Sequence, residues 1–360
     1  MASAGVQVRL TVVLDARVFG GAERQVLATV ERLPPRFRVT VLAARPVPRG
    51  LAAALDDTGV AWHTTPSVVR KSQLGRFAAL LTAMLRTRAD LVHVNMATAT
   101  NNRHAVVAAR VLRRATVVGV HSLAALDSAA QRRHLRRMLA GVRVAMVPSQ
   151  AIAEQLTTVL QMPPDRVVVV RNGVGEPPPG RQVRAYAGGP VRIVTVGRLS
   201  PEKGHDVLID ALRALLAAGH PAEVVVVGDG PGREELQAAA GGLPVTFTGH
   251  VADPWESLLS ADVYCQPART EGLPLALLEA MMAGLPCVAT AVGDIPTLAP
   301  EVLVVAPEDP AALAAGIEGL LRDAAERSTR GAAARRRARA DYTVEQAAAT
   351  VVGVYDRALS

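Results

Sequence analysis

Two carboxylates, Glu271 and Glu279, stand eight residues apart in the stretch 262–290, DVYCQPARTEGLPLALLEAMMAGLPCVAT. Glu271 belongs to the polar turn Arg269-Thr270-Glu271-Gly272, where it could accept hydrogen bonds from sugar hydroxyls. Glu279 falls in the middle of an apolar helix that Pro274 opens and Gly284 closes. Proline suits a first helical turn, whose N–H would be unpaired anyway, and glycine suits the residue past the end. The N–H groups of Gly272, Leu273, Leu275 and Ala276 at that helix start would face an anion such as phosphate. The pattern points to a ligand that carries both phosphate and hydroxyls. Spacing alone equally allows a plainer reading, with Glu279 an exposed helix residue and Glu271 a partner of the helix dipole.

The elements that must position these groups alternate along the whole chain. Apolar strand-like runs occur at 7–14, 37–43, 59–64, 90–95, 116–120, 143–148 and 166–170, and again at 191–197, 223–228, 245–249, 262–266, 287–290 and 301–305. Helical patterns fall between them: from Gly20-Gly21 to about residue 33, at 74–87, 104–114, 128–140 and 203–218, and from 309 onward. Ser149 is placed to cap the helix after the sixth strand. Such alternation predicts βα units and parallel sheets. The near-continuous valine and leucine runs agree, because parallel strands are buried on both faces. Residues 174–190, VGEPPPGRQVRAYAGGP, interrupt the rhythm and read as an interdomain linker. The expected organisation is a first Rossmann-like domain over 1–174, a linker over 175–190, a second over 191–342, and a C-terminal helix over 343–360 that packs back on the body. Two doubly wound domains would face a cleft, with ligands beyond the carboxyl ends of the strands. Gly20-Gly21, His121 and Ser149 lie at such ends in one half, as do Arg198, Gly228-Asp229-Gly230 and Glu271 in the other.

Composition narrows the class. The chain has 360 residues, half of them hydrophobic and 3% aromatic, so its cores must be built from alanine, valine and leucine. No apolar run approaches the roughly 18 residues of a membrane span. The N-terminus lacks the charged region of a signal peptide and reads as a first strand. Cys265 and Cys287 fall in predicted strands and read as buried free thiols, which fits a reducing, cytoplasmic compartment. No Cys/His spacing resembles a zinc site, and neither an Asp-x-Asp pair nor a P-loop is present, so no metal and no cofactor is expected. The net charge is +8, and residues 101–150 alone hold nine arginines against Asp127. Only Lys71 and Lys203 are lysines, which makes Lys203 a less routine choice than it would be elsewhere. The basic tail carries Val344, Ala348, Val351, Val352 and Tyr355 at helical spacing, which favours a packed amphipathic helix over a nucleic-acid arm.

With these motifs in hand, the sequence resembles the GT-B-fold retaining glycosyltransferases of family 4 (glycosyl transferases group 1). That family includes sucrose synthases, phosphatidylinositol mannosyltransferases and many bacterial polysaccharide and antibiotic glycosyltransferases. The resemblance is carried by Gly20-Gly21-Ala22-Glu23, Asn172-Gly173-Val174, Gly197-Arg198-Leu199-Ser200-Pro201-Glu202-Lys203-Gly204, Gly228-Asp229-Gly230-Pro231, and Glu271 to Glu279 with Ala283-Gly284-Leu285-Pro286. It implies a hexosyltransferase using a UDP-, GDP-, ADP- or dTDP-linked sugar and a hydroxyl acceptor, bound by the N-terminal domain, with no metal. By resemblance, Arg198 and Lys203 grip the donor diphosphate, and Glu271 holds hydroxyls of the transferred sugar without acting as a nucleophile. Glu279 takes the ribose, and the main chain near His250-Val251 takes the base. Gly20, Gly21, Gly230, Gly272, Leu273, Pro274, Leu275 and Ala276 line the donor, and His121 lies near the sugar. The sequence departs from the family at Gly175, where an acidic residue is frequent, and at Asp294, where a second glycine is common.

Other functions fit parts of the pattern. A catalytically silent sugar-nucleotide-binding regulator would share the fold, as would a sugar-nucleotide epimerase that needs no acceptor. Nucleic-acid binding is disfavoured by the lack of aromatic platforms. The acceptor is left open between lipid-linked, polysaccharide and small-molecule types. Residues 131–137 (QRRHLRR) beside Leu123, Leu126 and Leu135 could form a peripheral membrane contact or a solvated helix face.

Overall fold

The structure, a computed structural model, describes all residues except 1–6, 71, 99, 124–127, 182, 184–188 and 252. The chain divides into two compact units, Met1–Asn172 with Val344–Ser360, and Gly173–Thr343.

Unit 1 alternates strand and helix: β1 (Val8–Leu14), α1 (Gly21–Val30), β2 (Phe37–Arg45), α2 (Arg49–Asp57), β3 (Ala61–Pro66), α3 (Leu74–Thr87), β4 (Leu91–Met96), α4 (Arg103–Val111), β5 (Ala115–Val120), α5 (Ala129–Leu139), β6 (Val144–Val147), α6 (Gln150–Thr158) and β7 (Val167–Val169). Among the described residues these strands form one parallel sheet in the order β3-β2-β1-β4-β5-β6-β7. Winding reverses between β1 and β4, where Val12 pairs with His93. Both sheet faces are covered. Val13, Leu42, Val94 and Val118 pack under α3 to α6 on one side, and Leu10, Val12, Val41 and Val117 pack under α1 and α2 on the other. This double burial explains the unbroken apolar strands.

Unit 2 repeats the plan with β8 (Val191–Val196), α7 (His205–Ala217), β9 (Ala222–Val227), α8 (Arg233–Ala240), β10 (Val245–Gly249), α9 (Trp255–Leu259), β11 (Val263–Gln266), α10 (Leu275–Ala283), β12 (Cys287–Thr290), β13 (Val302–Val305), α11 (Pro310–Arg322) and α12 (Ala324–Asp341). Its parallel sheet runs β10-β9-β8-β11-β12-β13, so the reversal falls between β8 and β11. Cys265 and Cys287 are free and buried in adjacent strands.

The last helix, α13 (Val344–Leu359), belongs to unit 1. It buries Val344, Ala347, Ala348, Val351, Val354, Tyr355 and Ala358, an apolar stripe at helical spacing. Arg32–Glu345 (2.9 Å) and Arg36–Asp356 (2.7 Å) pin its outer side.

Several boundaries differ from the sequence reading. The helix α2 was not foreseen, although Leu51 and Leu55 are its buried one-turn pair. The five-residue α9 was likewise unforeseen. The expected helix start at Lys203 moves to His205, because Pro201–Lys203 form a 3-10 turn that Gly204 ends in the left-handed region at φ 65°. Pro274 is the extended N-cap of α10 and not its first helical residue, and α1 stops at Val30.

Candidate functional site

The unit 2 cluster sits at the reversal between β8 and β11, on the two loops that leave those strands. In an open α/β sheet this is where loops diverge and leave a ligand room. Lys203 comes from the first loop and Glu271 from the second, and their side chains form an ion pair, Lys203 Nζ donating to Glu271 Oε1. Arg198, on the first loop, is exposed.

Three devices fix these loops. Arg269 donates to Asp206 through both terminal nitrogens (2.8 and 2.6 Å), to Glu308 (2.6 Å) and to the Pro201 carbonyl (2.7 Å). These bonds raise the Arg269 pKa above its ordinary value, and the guanidinium hold keeps Asp206 below the usual carboxylate range. The backbone of Arg269 also donates to the Glu202 carbonyl at 2.9 Å, which ties the two loops together. Second, Gly230 lets the loop after β9 lie against the first loop, since a Cβ there would come 2.4 Å from the Leu199 carbonyl oxygen. Gly232 N–H donates to that same oxygen at 2.9 Å. Third, Gly293 at φ 56° lets the loop after β12 back onto Glu271, because a Cβ would meet the Glu271 carbonyl at 2.2 Å. Asp294 N–H donates to the Gly272 carbonyl at 2.9 Å. Asp294, flagged as a departure from the family pattern, therefore contributes its backbone to this loop.

The helix α10 starts beside Glu271 and is buried from Leu277 to Ala283. Glu279 is only 5% exposed, which overturns its plain reading as an exposed helix residue. Carboxylates in apolar surroundings are costly, so one buried here calls for a reason beyond helix formation. Tyr264 on β11 lies within the field of both carboxylates: burial first, then Cys287 and Cys265, then Glu271 and Glu279 raise its pKa. Its hydroxyl donates to Gln266 at 2.6 Å. Gly272, Pro274, Leu275 and Ala276 are partly exposed at the helix start, whereas Leu273 is buried. Val251 packs against the same core at the end of β10.

The unit 1 cluster sits at the reversal between β1 and β4 and extends to β5. Gly20 N–H donates to Glu23 Oε2 at 3.2 Å across the start of α1. Asn95 at the end of β4 donates to Glu23 Oε1 at 3.4 Å and meets His121 Nε2, just past β5, at 2.8 Å. His93 Nδ1 pairs with the Tyr355 hydroxyl of α13 at 2.9 Å. Burial pushes His93 down to about 3 and His121 to about 4, so both rings are neutral at pH 7. A cavity of about 40 Å³ lies beside them, lined by Gln25, His93, His121, Asn172 and Tyr355 among others. That is far below the roughly 300–1,000 Å³ of small-molecule sites, so it holds no sugar by itself.

Thus Arg198, Lys203, Gly230, Gly272 and Glu271 stand on interlocked loops of unit 2, with Pro274, Leu275, Ala276 and Glu279 on the adjoining α10. Gly20 and His121 share the polar chain of unit 1, and Gly21 opens its helix. Ser149 caps α6, accepting from Ile152 N at 3.3 Å, and is fully buried. Sequence reasoning missed Arg269, Asp206, Asn95 and Gly293. Arg269 was visible two residues before Glu271, but its partners lie 63 and 39 residues away. The basic helix α5 buries Leu135, Met138 and Leu139 in its own unit, and Leu123 is buried as well. Neither Leu123 nor Leu135 is therefore available to a membrane, and Leu126 lies outside the described residues.

Comparison with known proteins matches both halves. The model described as Glycosyl transferases group 1 matches residues 190–323, and that of Glycosyltransferase Family 4 matches residues 19–175. A GDP-mannose-dependent alpha-(1-6)-phosphatidylinositol dimannoside mannosyltransferase of Mycobacterium tuberculosis is 44% identical over 112 residues, 30% of this chain and 29% of the relative. A 2-deoxystreptamine glucosyltransferase of Streptomyces kanamyceticus is 34% identical over 181 residues, 48% of this chain and 46% of the relative. The matches therefore span less than half the length of these two curated relatives. Among solved structures, Anabaena HepE in complex with UDP-glucose superposes with a TM-score of 0.81 at 19% identity, over 97% of this chain and 99% of that one. A Rickettsia africae glycosyltransferase reaches 0.80 at 16%, over 98% and 99%. Both share the GT-B fold of two parallel-sheet α/β domains.

Proposed function

We propose that this chain, which belongs to the group 1 and family 4 glycosyltransferases, moves a sugar from a nucleotide diphosphate to a hydroxyl acceptor. One observation carries the reading: the Lys203–Glu271 pair beside exposed Arg198, on the loops where the second sheet reverses its winding. A diphosphate needs cations and helix-start N–H groups, and a sugar needs a carboxylate acceptor; here they adjoin.

In this scheme Arg198 and Lys203 hold the diphosphate and stabilise the charge that builds on it as the glycosidic bond breaks. The starts of Leu275 and Ala276 contribute N–H groups to its oxygens. Glu271 orients sugar hydroxyls, and Glu279 takes the ribose. The acceptor oxygen bonds to the anomeric carbon, the bond from that carbon to the diphosphate oxygen breaks, and the acceptor proton passes to the departing phosphate. Attack on the face the diphosphate leaves retains the anomeric configuration. Metal independence belongs to the same proposal and rests on the missing Asp-x-Asp pair.

Mannosyl- and glucosyltransferase relatives and a fold neighbour that binds UDP-glucose support a nucleotide-sugar donor. The experiment is a thermal-shift series with UDP, GDP, ADP and dTDP on the wild type and Glu279→Ala. A nucleotide at 100 times its Kd adds about 2.7 kcal/mol, readily seen. Stabilisation of the wild type by one nucleotide, much reduced in the variant, supports the donor site and names its base. Stabilisation by none of the four in a folded protein sinks it. Binding without turnover on any sugar of that base would return the silent-regulator reading. The arginines of α5 leave only an electrostatic route to an anionic membrane, testable by pelleting with anionic liposomes and Arg133 and Arg137 changed to Glu.

A further inference from the structure

We infer that Asn95 is a positioning residue: it locks His121 as the Nε2–H tautomer, so that the ring presents a neutral Nδ1 as hydrogen-bond acceptor. The inference rests on the proposed transfer only for what Nδ1 acts upon.

The tautomer follows from a chain of fixed polarities. The Glu23 carboxyl accepts from Gly20 N–H at 3.2 Å, and backbone N–H bonds favour its accept-only charged form against the burial that raises its pKa. A carboxylate can only accept, so Asn95 must turn its amide nitrogen toward Glu23, as it does at 3.4 Å. That leaves the amide oxygen facing His121 Nε2 at 2.8 Å. An amide oxygen also only accepts, so Nε2 carries the proton and Nδ1 the lone pair.

The surroundings keep the ring neutral. Among the described residues, the titratable groups around His121 are His93 on β4, Tyr355 on α13, which bonds to His93, and Glu23 on α1, one side chain removed behind Asn95. None of these places a carboxylate against the imidazole. An aspartate at position 95 would supply a counter-charge and favour the imidazolium, the arrangement of hydrolase triads. Asparagine gives orientation without charge, and burial opposes protonation.

Packing requires the arrangement as well. Asn95 is 2% exposed, and a Cβ on Gly119 would lie 3.1 Å from His93 Nε2 and 3.5 Å from both Asn95 Oδ1 and His121 Nε2. The three polar side chains therefore crowd over the one β5 position that has no side chain. A neutral Nδ1 suits a hydroxyl: it can accept the hydroxyl hydrogen bond without carrying a charge of its own.

Long-range proton–nitrogen NMR of the full chain, with His121→Gln to assign the ring, tests this directly. The wild type should show the Nε2–H tautomer at pH 7 and protonation only well below pH 6. Asn95→Ala should give mixed tautomers and a titration moved toward the ordinary value of about 6.5. Asn95→Asp still offers an oxygen to Nε2, so its neutral ring should keep the Nε2–H form while the added charge moves the titration upward. An Nδ1–H tautomer in the wild type overturns the inference, even if Asn95→Ala fails to fold. An unchanged tautomer in folded Asn95→Ala does so too. With a turnover assay, Asn95→Ala should lower kcat about tenfold at unchanged donor KM. A mixed tautomer with undiminished kcat overturns the functional half. No turnover in the wild type defeats the transfer reading alone and leaves the tautomer result standing.

Discussion

At the reversal of the first sheet, Glu23, His93 and Asn95 are 4%, 4% and 2% exposed, and the histidines are neutral. At the reversal of the second, the Lys203 and Glu271 side chains keep 23% and 13% of their surface and carry opposite charges. The first cluster is held by side chain bonding side chain; the second by backbone bonding backbone, with Arg269 as a tie. The same winding thus supports two kinds of polar site. Buried groups bonded to one another fix direction, because each hydrogen bond leaves its members one orientation. Partly exposed charges fix position loosely but give field strength, and they can exchange each other for a ligand. A donor that arrives with a diphosphate needs the second kind. A hydroxyl that must be aimed needs the first.

The comparison breaks most visibly under charge removal. Lys203→Ala should lower kcat/KM for the donor about 10²–10³-fold, the scale of losing one preorganised charge at a departing group. His121→Gln should leave nucleotide affinity within about twofold while lowering kcat, because its part is aim and not field. Isothermal titration with the preferred nucleotide separates the two. Loss of affinity in both variants would show that the clusters are not different in kind.

Acid should separate the units next. His93 and His121 in unit 1 and His205 in unit 2 all have folded pKa values below their ordinary 6.5, about 3, 4 and 4. The unfolded chain therefore binds protons first. Stability is complete above pH 6.5 and is lost as pH falls toward 4, at up to about 1.4 kcal/mol per pH unit for each deeply buried histidine. His121 is partly exposed and contributes less. The raised carboxyls of Asp15 and Glu23 act in the opposite sense, taking up protons first in the folded state as pH falls, and offset part of the loss. Each unit carries one tryptophan, Trp62 and Trp255, so Trp62→Phe and Trp255→Phe give separate fluorescence melts. Unit 1 should lose more stability per pH unit; equal slopes would contradict the burial assigned to its histidines.

Arg269→Lys probes the tie in unit 2. It keeps the charge but loses the paired contact to Asp206, at a cost of about 1–2 kcal/mol. The unit 2 melt should fall by a few degrees and nucleotide affinity with it. A melt that moves without affinity would mean that the loops hold their site unaided. Ser149→Ala, which removes a buried N-cap in unit 1, should cost about 1 kcal/mol and leave nucleotide binding untouched.

Much of this was legible in one dimension. The central strands were readable because they are apolar on both faces, and the C-terminal helix because Val344, Ala348, Val351 and Tyr355 keep one stripe. Gly284 marked the end of α10 by the same local logic, standing left-handed at φ 89°. Short elements failed. The helix α2 rests on two leucines and is preceded by prolines, and α9 has five residues, too few for a period to show. In the candidate site, Lys203 stood out as one of two lysines, Glu279 as a carboxylate inside an apolar helix, and Glu271 as the carboxylate just before that helix start. Asn95, Asp206 and Arg269 did not, because an isolated polar residue at a strand end or helix start has many ordinary uses.

The sequence by itself determined the alternation of strand and helix, the two parallel sheets and the loops that carry the polar groups. Each depends on interactions between residues near in the chain or on a repeated pattern of burial. The tertiary structure decided which polar groups meet. Glu23 reaches Asn95 across 72 residues, Lys203 reaches Glu271 across 68, and His93 reaches Tyr355 across 262. Such pairings follow from the order in which strands lie side by side, and that order leaves no periodic trace in the chain.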